Sequence, residues 1–535
     1  MPIECSLFCE AFEDSDPGSI GRRLANLLEV TSRTEGRTVW IHKKRGQREA
    51  TAVFASSVTR DQIEKLINGS LEFKGKPVRC DEVRDVAEEA NKSEDEGSRP
   101  GKKLRQETIE ELCLPWKSKP YQEQLHEKRE IVANALSGAL KGVKSSAKQR
   151  RYTPTPAWDD LVIEDTLYTE STDGYRNKCE FTFGLTVEGE PEIGFMHTRA
   201  TGTTEPVVAA GETLMHVSAN MASIVVSLRS LLKANIERFP LFSHRTKIGY
   251  WRLVSIRACP NTGESQVVIQ SGPASDDCEA TTFENILTEW AQESSRITSL
   301  FVQYNSSVTD TLVLSDLHVM KRLIGPESIS MAIGDRSRFQ VHPLSFFQTN
   351  SKGCELLYNQ VASWLPCENG VLLDICCGVG TIGQYVALAR DNVRVVGIDI
   401  VSEAIRDAEA NATLNRLESN RVSYHAGRAE DVLPAIISST GARLAVVDPP
   451  RSGLHKNVIR AIRETEEIDT LVYVSCNPKT LETDLVKFCE PLTSCAEEEG
   501  VAVNHRFIPT KAVAVDMFPN TVHCEVVVLL QRPRP

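Results

Sequence analysis

Val371-Leu-Leu-Asp-Ile-Cys-Cys-Gly-Val-Gly-Thr-Ile-Gly383 passes from a buried-strand pattern, through a glycine turn, into the opening of a helix. Gly378, Gly380 and Gly383 satisfy G-x-G-x-x-G, where the missing side chains let the backbone approach a ligand closely. Taken alone, the spacing is shared with dinucleotide dehydrogenases. Outward from it, the chain after Gly370 repeats one texture: short Val/Ile/Leu runs alternating with helical segments. That alternation predicts an α/β domain on a parallel, doubly wound sheet.

The neighbouring acids narrow the ligand. The second run, Val393-Arg-Val-Val-Gly-Ile-Asp399, places a carboxylate about twenty residues past the glycines, where it can accept both hydroxyls of a ribose. Asp374 stands just before the turn. A carboxylate there would repel a pyrophosphate, whereas S-adenosylmethionine has no phosphate and carries a cationic amino group. S-adenosylmethionine therefore fits better than NAD. The fourth run, Leu444-Ala-Val-Val, delivers Asp448-Pro-Pro-Arg451. Two prolines hold the backbone so that Asp448 sits at the carboxyl edge of the sheet, over the ligand crevice. The related element of amino-group methyltransferases ends in an aromatic. Arg451 disfavours that chemistry, and its planar fork suits a phosphate or a carbonyl.

The fifth run, Leu471-Val-Tyr-Val-Ser, ends in Ser475-Cys476-Asn477-Pro478. A cysteine in an apolar strand is usually inert core, but Cys476 leaves the sheet at the edge that holds chemistry. Glu525 heads the apolar run Val526–Leu530. It reads either as a solvent-facing strand end or as a carboxylate whose pKa is lifted by apolar surroundings, able to accept a proton. Before the glycine turn, Phe346-Phe-Gln348-Thr-Asn350 offers aromatics for hinge packing or for a flipped base. Gln348 there suits a cofactor or a base edge.

At roughly 150 residues per domain, the 535 residues predict three or four domains. Residues 1–90 read as β-α-β-β-α-β, with strands near Glu4–Phe8, Arg37–Lys43, Ala50–Phe54 and Pro77–Cys80 and helices near Ile20–Leu28 and Arg60–Ile67. This α+β pattern resembles an RNA-recognition motif, whose third strand projects base-stacking aromatics. Here the outward positions are Glu49 and Thr51, and Phe54 has core parity, so a protein-contact scaffold is an equal reading. Residues 91–112 mix Gly, Pro and charge as a flexible linker would. Residues 113–350 read as a central mixed α+β domain and 351–535 as the catalytic domain. Lys141, Lys144, Lys148, Arg150 and Arg151 form a run without an acid, either a solvated helix end or a phosphate-backbone contact.

Composition bounds the partners. Hydrophobic residues make up 41% and charged residues 25%, which excludes global disorder. A net charge of −12 excludes binding of an acidic polymer over the whole surface, so a nucleic acid needs a local basic groove. No apolar run approaches the ~20 residues of a membrane helix. The acidic start Met1-Pro-Ile-Glu-Cys-Ser resembles neither a secretory signal nor a transit peptide, so cytoplasm or nucleus is expected. Fifteen cysteines without a C-x-x-C pair predict reduced core residues and no structural metal.

Taken in order, Phe346-Phe-Gln-Thr-Asn350, Asp374-Ile-Cys-Cys-Gly-Val-Gly-Thr381, Asp448-Pro-Pro-Arg451, Ser475-Cys-Asn-Pro478 and Val515-Asp-Met-Phe-Pro-Asn-Thr-Val-His-Cys-Glu525 resemble the RNA 5-methyluridine methyltransferases. Tyr175-Arg-Asn-Lys-Cys-Glu-Phe181 matches that family's substrate-domain signature, and the resemblance spans about Leu114 to Arg532. It implies a C-terminal Rossmann-like class I methyltransferase domain behind a central RNA-substrate domain, with S-adenosylmethionine as cofactor. It further implies a monomer acting on tRNA, by convention at uridine 54 of the T-loop. Ribosomal RNA is the alternative target, and a tRNA-binding folding factor the alternative role. Cys476 falls at the nucleophile position and Glu525 at the base. Gln348, Asp399 and Asp448 fall at cofactor positions beside Gly378 and Gly380, and Phe346, Asn350 and Arg451 on the substrate side. Cys376 occupies the place of a cofactor-lining aromatic in bacterial relatives. Their iron–sulfur cysteine cluster and added RNA-binding barrel are missing from this sequence.

The chemistry explains the pair. Uracil C5 is too poor a nucleophile to take a methyl group directly from a sulfonium. A thiolate adding at C6 turns the ring into an enolate with negative charge at C5, and a base must later remove the C5 proton. The uridine must also leave its stack, at a cost of a few kcal/mol.

Overall fold

The computed structural model describes residues 107–150, 158–198, 205–274, 276–305, 307, 312, 318–366, 369–490 and 506–533, together with the short strands between residues 3 and 85. They belong to two compact units, Met1–Arg105 and Gln106–Pro535. In the first unit β1 (Ile3–Phe8), β2 (Val39–His42), β3 (Glu49–Phe54) and β6 (Arg79–Asp85) form an antiparallel sheet in the order β2-β3-β1-β6. β4 (Glu72–Phe73) and β5 (Lys76–Pro77) form a separate small hairpin. The last strand of the sheet starts later and runs further than the expected Pro77–Cys80. The expected helices, and the side chains of Glu49, Thr51 and Phe54, lie outside the described residues.

The second unit opens with α1 (Ile109–Cys113), whose N-cap Thr108 and Glu111 form a reciprocal capping box. The expected linker, 91–112, is therefore helical at its end. Next come α2 (Tyr121–Arg150) and β7 (Val162–Ile163). A seven-stranded sheet is then built from β8 (Lys178–Leu185), β9 (Pro191–Thr198), β10 (Val207–Ala210), β11 (Trp251–Ala258), β12 (Ser265–Ser271), β13 (Ser299–Asn305) and β14 (His318–Ile324). Its order is β10-β9-β8-β11-β12-β13-β14. The helices α3 (Ala219–Asn235) and α4 (Asp277–Glu293) bury Met221, Leu228, Phe283 and Leu287 in its core.

A hairpin, β15 (Ile329–Ile333) and β16 (Ser337–Val341), leads into α5 (Ser351–Trp364). The alternating part follows: β17 (Gly370–Ile375), α6 (Thr381–Ala389), β18 (Val393–Asp399), α7 (Ser402–Leu414), β19 (Val422–Ala426), α8 (Ala429–Thr440), β20 (Leu444–Val447), α9 (Lys456–Glu464), β21 (Thr470–Ser475), α10 (Pro478–Cys489), β22 (Ile508–Val515) and β23 (Glu525–Gln531). The sheet order is β19-β18-β17-β20-β21-β23-β22-β7. The pairs from β19 to β21 are parallel, and β23 runs antiparallel to both of its neighbours. Both faces are apolar. Leu373, Ile375, Val396, Val447 and Tyr473 enter one core, and Leu372, Val395, Val446 and Val472 the other. Burial on both sides is why these strands read as continuous hydrophobic runs.

The expected boundary at residue 350 does not separate two bodies. β7 pairs in parallel with β22, Val162 opposite Lys511, and so extends the catalytic sheet. α2 lies parallel to α10, and a Cβ added at Gly138 or Gly142 would come within 2.5 Å of Glu482 Cδ or 2.6 Å of Val486 Cγ2. Two glycines thus let the helices meet at backbone distance. Lys141, Lys144 and Lys148 lie exposed along α2.

Candidate active site

The strand order reverses at β17, which has β18 on one side and β20 on the other, so a crevice opens at their carboxyl ends. Here Gly380 caps α6 in the left-handed region at φ 81°, a conformation that favours glycine. A Cβ at Gly383 would meet Asp374 Oδ2 at 2.9 Å, whereas one at Gly378 would meet no protein atom within 4 Å. The middle of the turn therefore faces open space, as a cradle for a ligand must. Cys376 also holds a positive φ, 65°, and burial pushes its thiol up to about 12.

Three carboxylates line the crevice. Asp374 is 1% exposed; its Oδ2 accepts from Gly383 N at 2.9 Å, and its Oδ1 is buried with no donor. Burial pushes its carboxyl up to about 7, against the pull of the Gly383 hydrogen bond. Asp448 follows β20 and is likewise pushed up to about 7 by burial, while a hydrogen bond with the Gln348 side chain acts the other way. Asp399, at the end of β18, accepts Gly378 N on one oxygen and Val401 N on the other, both at 2.9 Å. Each oxygen keeps a second lone pair. Orphaned acceptors and enclosed acids suit a ligand with a cationic group and hydroxyl donors, and disfavour a phosphate. S-adenosylmethionine meets that requirement.

Beyond the crevice, β21 and β23 carry the second group. Their ladder ends with Ser475 opposite Val526, so the next step sets Cys476 opposite Glu525. Glu525 is 3% exposed, and its Oε2 has no partner. Burial, then the negative charge of Asp448, raises its carboxyl well above the usual range, while Arg451 lowers it. Cys476 is half-buried; burial, Glu525 and Asp448 raise its thiol and Arg451 lowers it. The two turns are stapled together. Asn477, which caps α10, donates from Nδ2 to the Arg451 carbonyl at 3.0 Å, and Thr480 Oγ1 reaches the same oxygen at 3.3 Å.

The remaining expected residues divide. Phe346 is 73% exposed, whereas Gln348 is buried beside Asp448. Asn350 does not face a substrate: its Oδ1 caps α5 by accepting Gly353 N, and its Nδ2 donates to the Met517 carbonyl. Both amide groups are thereby consumed by tethering. Asn177 docks the 175–181 signature here, donating from Nδ2 to the Gln348 carbonyl and to Ser351 Oγ, each at 2.8 Å. Sequence reasoning missed Lys128 and Asp516, buried partners behind the loop that leads to Glu525. A lysine inside the apolar side of α2 and an aspartate inside an apolar strand end were the available signals.

A Rossmann-like sheet whose crevice joins a glycine cradle to cation-seeking carboxylates defines a class I methyltransferase that uses S-adenosylmethionine. A family model described as tRNA (Uracil-5-)-methyltransferase matches residues 327–533. The Mus musculus protein tRNA (uracil-5-)-methyltransferase homolog A is 30% identical over 501 residues, covering 90% of this chain and 78% of that one. The chain belongs to the tRNA (uracil-5-)-methyltransferase family. The Danio rerio homolog B is 30% identical across 80% of this chain and 87% of its own. In fold, the chain is similar to the Pyrococcus abyssi tRNA (uracil-54, C5)-methyltransferase in complex with S-adenosyl-L-homocysteine. That TM-score is 0.55, at 20% identity, covering 86% of this chain and 91% of that one.

Proposed function

We propose that the protein methylates C5 of a uridine in tRNA, at position 54 of the T-loop, through a transient bond between Cys476 and C6 of the ring. The observation that carries this reading is the register that sets Cys476 opposite the buried Glu525. The relatives named above act by title on uracil in tRNA, and the Pyrococcus abyssi protein on uracil-54.

S-adenosylmethionine, when bound, supplies a methyl group on a positively charged sulfur. Asp399 is placed to hold ribose hydroxyls, and Asp374, Asp448 and Gln348 to hold the charged end. Cys476 Sγ adds to C6, and the C5=C6 electron pair moves toward C5 and O4. Arg451 favours the thiolate that attacks. Once C5 carries the methyl group, Glu525 accepts the C5 proton, the double bond re-forms and the sulfur leaves C6. A carboxyl raised by burial is a stronger base than an ordinary one, which suits a carbon acid. In the N-terminal unit, the order β2-β3-β1-β6 with antiparallel pairing supports an RNA-recognition-like fold.

Mapping of 5-methyluridine in RNA from cells lacking the protein tests the reading. The expected result is loss of the modification at position 54 of tRNA; its full retention there refutes the target.

A further inference from the structure

The loop between β22 and β23 carries Phe518 and His523, and both lie near a residue from the far end of the chain. The Arg176 guanidinium sits 5.8 Å from the centre of the Phe518 ring, and the His523 ring meets the same phenyl edge-on at 6.3 Å. Backbone contacts fix this meeting. Arg176 N donates to the His216 carbonyl at 3.1 Å, and the neighbouring Tyr175 hydroxyl reaches the Pro519 carbonyl. His523 is exposed. Among the described residues no carboxylate pairs with Arg176 or Arg451, while Lys128 is neutralised by Asp516. The potential around His523 is accordingly positive: burial and then the charges of Arg451, Lys128 and Arg176 all disfavour its protonated form. A patch of unbalanced cationic donors, two residues along the chain from Glu525, awaits an anion.

A nucleotide turned out of its stack brings its backbone with it. With its ring between Cys476 and Glu525, its phosphodiesters must pass the mouth of the site. We propose that Arg176 and His523, braced on Phe518, grip a phosphodiester adjoining the target nucleotide. This clamp rests on the RNA reading above. It holds backbone, so it orients the strand and carries no base preference.

The test is a cycle between protein and phosphate, using the full chain. Hairpins of T-arm sequence carry one uncharged methylphosphonate on the 5′ or the 3′ side of the target uridine. Wild-type affinity is expected to fall about tenfold for one of them, the scale of a charge-assisted contact. Arg176→Gln or His523→Gln should lose a similar factor on the unmodified hairpin and little more on that methylphosphonate hairpin. The slope of log affinity against log salt should drop by about 0.7 for Arg176→Gln. S-adenosylmethionine affinity, unchanged in both variants, reports that they fold. If wild type methylates the unmodified hairpin but the two losses multiply, or neither methylphosphonate matters, the clamp is refuted and the target reading stands. If wild type leaves the unmodified hairpin unmethylated, the target reading falls and the clamp with it.

Discussion

Lys128 and Asp516 form an ion pair with Nζ and Oδ1 2.5 Å apart and both side chains 0% exposed. Lys128 also donates to the Phe518 carbonyl at 3.0 Å, and Asp516 accepts from the Tyr121 hydroxyl at 2.8 Å. α2 is thereby bonded to the loop that ends at Glu525. Lys128→Met leaves a buried carboxylate uncompensated and should cost about 3–5 kcal/mol. Adding Asp516→Asn should recover part of that loss in urea titrations. Equal stability of wild type and Lys128→Met would show that the pair does not hold the loop.

Cys476→Ala should lower methyl transfer on the order of 10⁵-fold or more, the scale for loss of a nucleophile. S-adenosylmethionine affinity should stay within about twofold, because the thiol stands on the substrate side of the crevice. Glu525→Gln should leave RNA covalently bound to the protein on denaturing gels. Release of unbound RNA by that variant at the wild-type rate would remove Glu525 from the proton-accepting role.

Asp374 and Asp448, both raised from 3.8 to about 7 by burial, hold protons more tightly in the folded protein than in the unfolded chain. Their contribution to stability is therefore full below about pH 4 and is lost as pH rises through about 7. A cationic ligand reverses the preference by favouring the ionised form. Binding of S-adenosylmethionine near pH 6 should release protons, and its affinity should rise between pH 5 and 7. Calorimetry in buffers of different ionisation enthalpy measures the release, and Asp448→Asn should reduce it. Binding without proton release at pH 6 would contradict this account.

Arg451 lowers the Cys476 thiol, so Arg451→Gln should slow alkylation of Cys476 at pH 8 about two- to fivefold, the scale of a partly screened charge. Mass spectrometry of the Cys476 peptide separates it from the other thiols. An unchanged rate would place Arg451 outside the electrostatics of the thiol.

Gly383→Ala puts a Cβ 2.6 Å from Val395 Cγ1 and should cost about 1–3 kcal/mol through overpacking. Gly378→Ala meets only open space in the protein, at φ 53°, and should cost about 1–2 kcal/mol. Its larger effect should fall on S-adenosylmethionine affinity. A Gly378→Ala protein that binds the cofactor normally would show that the turn does not face it.

Legibility followed burial. Val393–Asp399 and Leu444–Val447 are the runs read from the sequence because strands covered on both faces carry an unbroken apolar signal. β7 has two residues, and its membership of the sheet depends on β22, far along the chain, so no local pattern announced it. Asp374, Asp448, Cys476 and Glu525 were visible as polar residues breaking apolar runs. Lys128, Arg176 and His523 were not, since their meaning lies in partners from distant segments. Asn350 was misjudged although an asparagine just before a helix is itself a capping signal.

β7 sits at one edge of the catalytic sheet, yet it leaves the ribosome long before the strand it pairs with. Until β22 and β23 emerge, β7 has no neighbour and β21 presents an apolar rim to the cytosolic milieu. Synthesis thus ends with the piece that closes the architecture and also delivers Glu525. A nascent chain stalled before that point is a client for chaperones rather than a partial enzyme.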